Sequence, residues 1–282
     1  MRGRVVRVPA SSANLGPGFD VLAAALALFL TVEVVETGAF NLVTDLRLRR
    51  DRSNLIVRAF ETLHPADNFE FRVSSTIPLS GGLGSSAAGV VAGLLAADHI
   101  FGLGADILAH AAEIEGHADN AAASLLGGVV ICDGADAHRM DVPEGLEAVL
   151  VIPSVPVRTS EARQALPPQV PMRDAVHNLA AISKLTLGLA TVDWDLISAG
   201  LTDRLHQPYR AHLFPQAAAL IEDAARYGAL GGTVSGAGPT VLLWCRVHES
   251  GAVVAHLQSR VDGWAKVLRV PFEPKGASVS SL

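Results

Sequence analysis

The chain has 282 residues, 28 Asp and Glu against 22 Lys and Arg, and a formal net charge of -6. That length suits one large domain or two moderate ones, while the acidic balance, the lack of long basic runs and an aromatic share of 5% argue against a nucleic-acid binder. Only Cys132 and Cys245 are present, far apart and in apolar surroundings, which argues against a disulfide framework or zinc site and fits a reducing, cytoplasmic compartment.

In chain order, residues 5–8 read as a short strand and residues 9–20, Pro-Ala-Ser-Ser-Ala-Asn-Leu-Gly-Pro-Gly-Phe-Asp, as a loop. The apolar stretch 21–32 is too short to cross a bilayer and is bounded by Asp20 and Glu33, so it reads as buried strand or core and no membrane partner is expected. Residues 26–36 and 41–44 carry strand patterns, Ser53 or Asn54 can cap a helix over 55–63, and 69–75 alternates as a further strand.

Residues 78–88, Pro-Leu-Ser-Gly-Gly-Leu-Gly-Ser-Ser-Ala-Ala, then stand directly before an apolar helical pattern that runs to Phe101. Gly81, Gly82 and Gly84 can adopt conformations barred to residues with a Cβ, and Ser85 and Ser86 suit the cap and first turn of a helix. Such a helix aims free N–H groups and its positive dipole end at the loop, which is what holding phosphate requires. No Gly-Lys-Ser/Thr follows, so this is not a Walker loop, and the glycine spacing is not that of a dinucleotide fold. A plain glycine turn before a core helix is the alternative.

Residues 105–115 have helical spacing and lead into Glu113-Ile114-Glu115-Gly116-His117-Ala118-Asp119-Asn120, the densest polar cluster in the chain. It reads either as a solvated helix end with Gly116 as its cap or, because 121–130 is almost wholly apolar or small, as a polar group held against a core. Residues 127–133 and 147–152 read as strands. A boundary falls near Pro153. Helices follow over 159–166, 174–189 and 195–205, the run Gln207-Pro208-Tyr209-Arg210 interrupts them, and 215–227 is helical again. Residues 231–240 form a second glycine-rich loop, 241–245 a strand, 252–261 a helix, 266–270 a strand, and 276–282 a frayed tail.

Several of these segments together resemble the GHMP kinase superfamily and, within it, the homoserine kinases: residues 9–20, Glu-Gly-His-Ala-Asp-Asn at 115–120, Thr-Ser-Glu-Ala-Arg at 159–163, Pro-Tyr-Arg at 208–210 and Ser-Gly-Ala-Gly-Pro at 235–239, in that order. The resemblance implies an α+β, two-domain GHMP kinase fold. Residues 1–152 would form an ATP-binding domain like domain 2 of ribosomal protein S5, and residues 153–282 a ferredoxin-like C-terminal domain, with the site between them. It implies transfer of the γ-phosphate of ATP to the hydroxyl of L-homoserine, on the route to threonine, by a Mg²⁺-dependent homodimer.

Carried over residue by residue, the resemblance assigns ATP to Asn54 and to Pro78, Leu79, Ser80, Gly81, Gly82, Leu83, Gly84, Ser85, Ser86, Ala87 and Ala88. It assigns Mg²⁺ to Ser86 and Glu115. Asn14 and Asp20 are matched to the substrate ammonium, Arg163 and Arg210 to its carboxylate, and Asn120 to its hydroxyl, with Thr159 and His117 close by. Other GHMP kinases place an Asp where Asn120 stands, and an amide cannot take a proton. Catalysis by positioning is therefore expected, with Asp119 as the rival base. Ala23 and Ala121-Ala122-Ala123 depart from the family pattern by small apolar replacements. A GHMP kinase for another alcohol and a non-catalytic sensor are the alternative functions.

Overall fold

The computed structural model describes residues 2–79, 81–155 and 159–282. Strand β1 (Gly3–Ala13) pairs antiparallel with the long β2 (Leu22–Glu36), and the register slips at Pro9, whose missing N–H cannot join the ladder. The expected loop therefore begins only after Ala13. Residues 10–13 zip against Ala23–Leu26 with both faces buried, so they lack the alternation that marks a half-exposed strand. Next come β3 (Asn41–Thr44), α1 (Leu55–Leu63) with Asn54 as its N-cap, and β4 (Phe69–Ser75). Helix α2 (Ser85–Phe101) is buried continuously from Ala87 to Ala97, as expected of a helix apolar on every side.

Helix α3 (Ile107–Glu115) ends on Gly116 in the left-handed region, the predicted cap. A helix that the sequence did not reveal, α4 (Asp119–Leu126), follows directly: its three consecutive alanines and Ser124 are all buried, so there is no polar face to make a period visible. The hairpin β5 (Val129–Asp133) and β6 (Asp136–Met140) leads to β7 (Leu146–Pro153).

The remaining elements are α5 (Thr159–Gln164), α6 (Met172–Thr191), α7 (Trp194–Gly200), α8 (Gln207–Arg210), α9 (Pro215–Glu222), β8 (Gly231–Val234), β9 (Val241–Arg246), α10 (Ser250–Arg260), β10 (Ala265–Pro271) and β11 (Ser278–Ser281). Helix α7 stops earlier than expected, at Gly200, where a Cβ would lie 2.5 Å from the Leu185 nitrogen on α6. The expected break at 207–210 is a single helical turn, with Pro208 in the first turn where a missing N–H is harmless. The predicted frayed tail is instead β11, paired with β1.

Seven strands form one sheet in the order β11-β1-β2-β4-β3, with β5 against β2 and β6 against β5; four form a second, in the order β10-β7-β9-β8. In the second, β7 is first in sequence and the order is 4-1-3-2, the split βαβ arrangement of a ferredoxin-like unit. By pairing, then, β7 belongs with the C-terminal sheet although a division after residue 152 leaves it with the N-terminal part, and β11 crosses back to the first sheet. One apolar core, centred on α2, spans residues from both sheets. A second fills the space between β7, β9, α9 and α10. Among the described residues no helix is long and apolar enough to cross a membrane.

Candidate active site

The end of β1, the start of α2, the α3–α4 junction, α5, α8 and the loop at 236–238 enclose one cavity of about 680 Å³. Gly82 and Gly84 stand at φ 75° and 66°, so both use the left-handed region open to glycine. Gly84, rather than a serine, takes the N-cap position of α2 and makes no side-chain cap. The N–H groups of Ser85, Ser86 and Ala87 consequently face the cavity at the positive end of a helix dipole. The loop is held from below by Ser11 N–H donating to the Leu83 carbonyl (3.2 Å) and from the side by Ser235 Oγ donating to the Gly82 carbonyl (2.7 Å).

Of the predicted phosphate segment, Gly82, Leu83, Gly84, Ser85, Ser86 and Ala87 line this cavity. Leu79 and Asn54 line a second one, of about 340 Å³, which shares Ser85 and Ser86 with the first. Pro78, Gly81 and Ala88 line neither, and Ser80 lies outside the described residues. The Asn54 amide is engaged by the backbone on both sides: Oδ1 accepts from Ile56 N–H (2.9 Å) and Nδ2 donates to the Arg49 carbonyl (2.7 Å). It builds the wall of the second cavity by starting α1 and tying down the preceding loop.

Across the main cavity, Ser86 Oγ donates to Glu115 Oε1 at 2.6 Å, bringing a hydroxyl and a carboxylate to the helix end. Both are hard oxygen donors. Two such oxygens suit a cation that keeps several waters or takes phosphate oxygens, as Mg²⁺ does; among the described residues no group of three or more His, Cys, Asp or Glu is placed to hold a metal.

The other polar groups make two pairs. Asp20, at φ 57°, and Arg163 meet in a bidentate contact of 2.8 and 3.0 Å across 143 residues of sequence, and this contact raises the Arg163 pKa. The residues matched to the ammonium and the carboxylate of a substrate thus satisfy each other. Asn14 serves the backbone: Nδ2 donates to the Gly236 carbonyl (2.8 Å) and Oδ1 accepts from Asp20 N–H (3.0 Å). In the second pair, His117 Nδ1 lies 2.7 Å from Asp119 Oδ1, which also accepts from Asn120 N–H (2.6 Å). Asn120 itself accepts from Ser11 Oγ (2.9 Å), and Ser124 Oγ donates to Ser11 Oγ (3.2 Å). Thr159 lines the cavity beside Ser160 at the start of α5.

The hydrogen bond to Asp119 holds the His117 pKa above its ordinary 6.5 in spite of burial. A raised folded-state value means that the pair stabilises the fold fully below the unfolded value and loses that contribution as pH rises through the folded one. His117→Gln is therefore expected to lower the melting temperature more at about pH 6 than at about pH 9; an equal loss at both would remove the charged pair from the account.

Sequence reasoning missed Ser11 and His206. Ser11 sits inside a motif read as a loop. His206, fully buried, stands four residues before Arg210, a spacing that puts the two on one helical face and could have drawn attention to it. Arg210 is 2% exposed and reaches the cavity from behind, over the face of Phe19.

Residues 54–128 match the family described as GHMP kinases N terminal domain, and residues 186–262 that described as GHMP kinases C terminal. The homoserine kinase of Prochlorococcus marinus (strain MIT 9515) is 36% identical over 99% of this chain and 96% of that protein. That of Synechococcus sp. (strain CC9605) is 42% identical over 88% of this chain and 86% of its own. Among solved structures, a homoserine kinase from Cytophaga hutchinsonii superposes with a TM-score of 0.86 at 29% identity, covering 99% of this chain and 98% of that one. The mevalonate kinase of Methanococcus jannaschii, at 16% identity and a TM-score of 0.73 over 95% and 98% of the two chains, shares the fold.

Proposed function

We propose, for a chain that belongs to the GHMP kinases and within them to the homoserine kinases, that it transfers the γ-phosphoryl group of ATP to the side-chain hydroxyl of L-homoserine, giving O-phospho-L-homoserine and ADP. The observation that carries this reading is a single cavity in which an open helix N-terminus, the Ser86–Glu115 oxygens, and the Asp20, Arg163 and Arg210 charges all converge. The first suits phosphates, the second a hard cation, and the last a ligand bearing both an ammonium and a carboxylate.

The second cavity meets the first at Ser85 and Ser86, so a nucleoside lodged there would send its phosphates along the α2 end. Mg²⁺, held by Ser86 and Glu115, would neutralise phosphate charge. At the other end the substrate's ammonium and carboxylate would take the places that Asp20 and Arg163 now give each other, with Arg210 as the second carboxylate partner. Phosphoryl transfer depends mainly on such positioning and charge stabilisation. The substrate oxygen forms the new P–O bond as the bond to ADP breaks, and its proton passes to a phosphate oxygen. A cytoplasmic place on the route to threonine and a homodimer complete the reading; light scattering checks the dimer.

The test is ADP release with ATP and Mg²⁺, comparing L-homoserine with L-serine, L-threonine, mevalonate and galactose. A strong preference for homoserine is expected. Turnover of another alcohol would move the substrate within the GHMP kinases, and ATP binding without any turnover would make the protein a sensor.

A further inference from the structure

We infer that His206 is a positioning residue whose neutral imidazole holds the Arg210 guanidinium in place for the substrate carboxylate. The inference rests on the reading of Arg210 given above. His206 is fully buried. Its Nε2 lies 2.7 Å from the Gly16 carbonyl and its Nδ1 3.1 Å from Arg210 Nη1. A carbonyl only accepts and a guanidinium only donates, so the two neighbours together dictate the tautomer: Nε2 carries the proton and Nδ1 is the acceptor. Burial, the largest influence, pushes the ring's pKa down, in the same sense. Asp203 approaches His206 Nε2 only to 3.6 Å. Its carboxylate is occupied by the N–H groups of Leu205, His206 and Gln207 and by Asn178 Nδ2.

Arg210 is thereby fixed at two of its three nitrogens. Nε donates to the Ala162 carbonyl (3.0 Å), while Nη1 serves both His206 Nδ1 and, at 3.3 Å, the Gly236 carbonyl. Nη2 is the nitrogen with no protein acceptor among the described residues. Phe19 closes the arrangement, its ring centroid 5.4 Å from that of His206 and 5.3 Å from the guanidinium carbon. Without an acceptor at Nδ1, Nη1 keeps only its longer 3.3 Å contact to the Gly236 carbonyl, and the direction in which the guanidinium presents its charge is held less firmly.

Two substitutions separate the roles of the two ring nitrogens. In His206→Gln the amide N–H₂ can still reach Gly16, but nothing replaces Nδ1. In His206→Asn the side-chain oxygen falls near the Nδ1 position and accepts from Arg210. His206→Gln is expected to raise the KM for homoserine about tenfold, the loss of one hydrogen bond to a charged group, with the KM for ATP and kcat within about threefold. His206→Asn is expected to restore the homoserine KM to within about threefold of the parent. Equal impairment of both variants, or an equal rise in the KM for ATP, would overturn the inference. Arg210→Lys leaving the homoserine KM unchanged would overturn the carboxylate reading beneath it, whatever the histidine variants do. Should either histidine variant fail to fold, ¹⁵N NMR of the histidine-labelled parent decides: the neutral Nε2–H tautomer is expected for His206, and a ring protonated at Nδ1 overturns the inference.

Discussion

Gly84→Ala is expected to lower kcat/KM about a thousandfold while the protein stays folded. The residue sits at φ 66°, where any side chain is strained, and an added Cβ would press into Ser11 Oγ and come within 3.0 Å of Asn120 Oδ1 and 3.2 Å of the Ser11 carbonyl. All three neighbours are buried or half-buried, so they have little room to retreat. The substitution must therefore lift the phosphate loop, displace Ser11, or turn the Asn120 amide. Misplacing a reacting group by 1 Å is worth about 10²-fold and losing one aligned phosphate donor about as much, and because the two act together the expected loss is smaller than their product. Gly104 supplies the control. It has the same φ of 66° and nothing within 4 Å of its missing Cβ. Gly104→Ala should show the strain alone, about 1 kcal/mol of stability, with an unchanged rate. Steady-state kinetics beside thermal unfolding of both variants separates clash from strain; a Gly84→Ala enzyme within tenfold of the parent would show that the loop accommodates the methyl.

What the sequence made legible was local. The glycine loop, the α2 pattern, the Gly116 cap and the Asn54 cap are each set by neighbouring residues, and each appears where expected. What escaped was set by distant residues or by burial on every side. Residues 10–13 become strand because Ala23–Leu26 covers them, and β11 exists because β1 offers an edge more than 270 positions earlier in the chain. The same limit applies inside the site. The motifs marked Asp20 and Arg163 as ligand groups, but no local pattern tells that they pair with each other, and no motif separates an asparagine that touches a nucleotide from one that caps the helix beside it. The side chain of Asn54 caps the helix while the same residue lines the second cavity. His206 was passed over because a histidine before a Pro-Tyr-Arg turn is informative only once Gly16 is seen on its other side.

Asn120→Ala is expected to lower kcat about 10²-fold, and Asp119→Asn by less than about tenfold, on the proposal that the protein positions the substrate hydroxyl rather than deprotonating it. Ser124 donates to Ser11 and Ser11 to Asn120 Oδ1. That chain commits the amide oxygen and leaves Nδ2, whose nearest protein acceptor is Asp119 Oδ1 at a long 3.5 Å, as a donor toward the cavity. A donor aimed at the substrate hydroxyl oxygen turns the hydroxyl proton away from Asn120, toward the phosphate. Asp119 is 2% exposed, and its Oδ1 already receives the His117 ring and the Asn120 N–H. An asparagine at 119 keeps an acceptor for both, so this substitution removes the carboxylate's basicity together with its charge pairing to His117, and the comparison is made at a pH where His117 is neutral in parent and variant alike. A general base contributes about 10²–10⁴-fold. If Asp119→Asn lost rate on that scale with an unchanged KM for homoserine, the carboxylate would be taking the proton; if the loss stays within tenfold, the proton leaves by way of the phosphate.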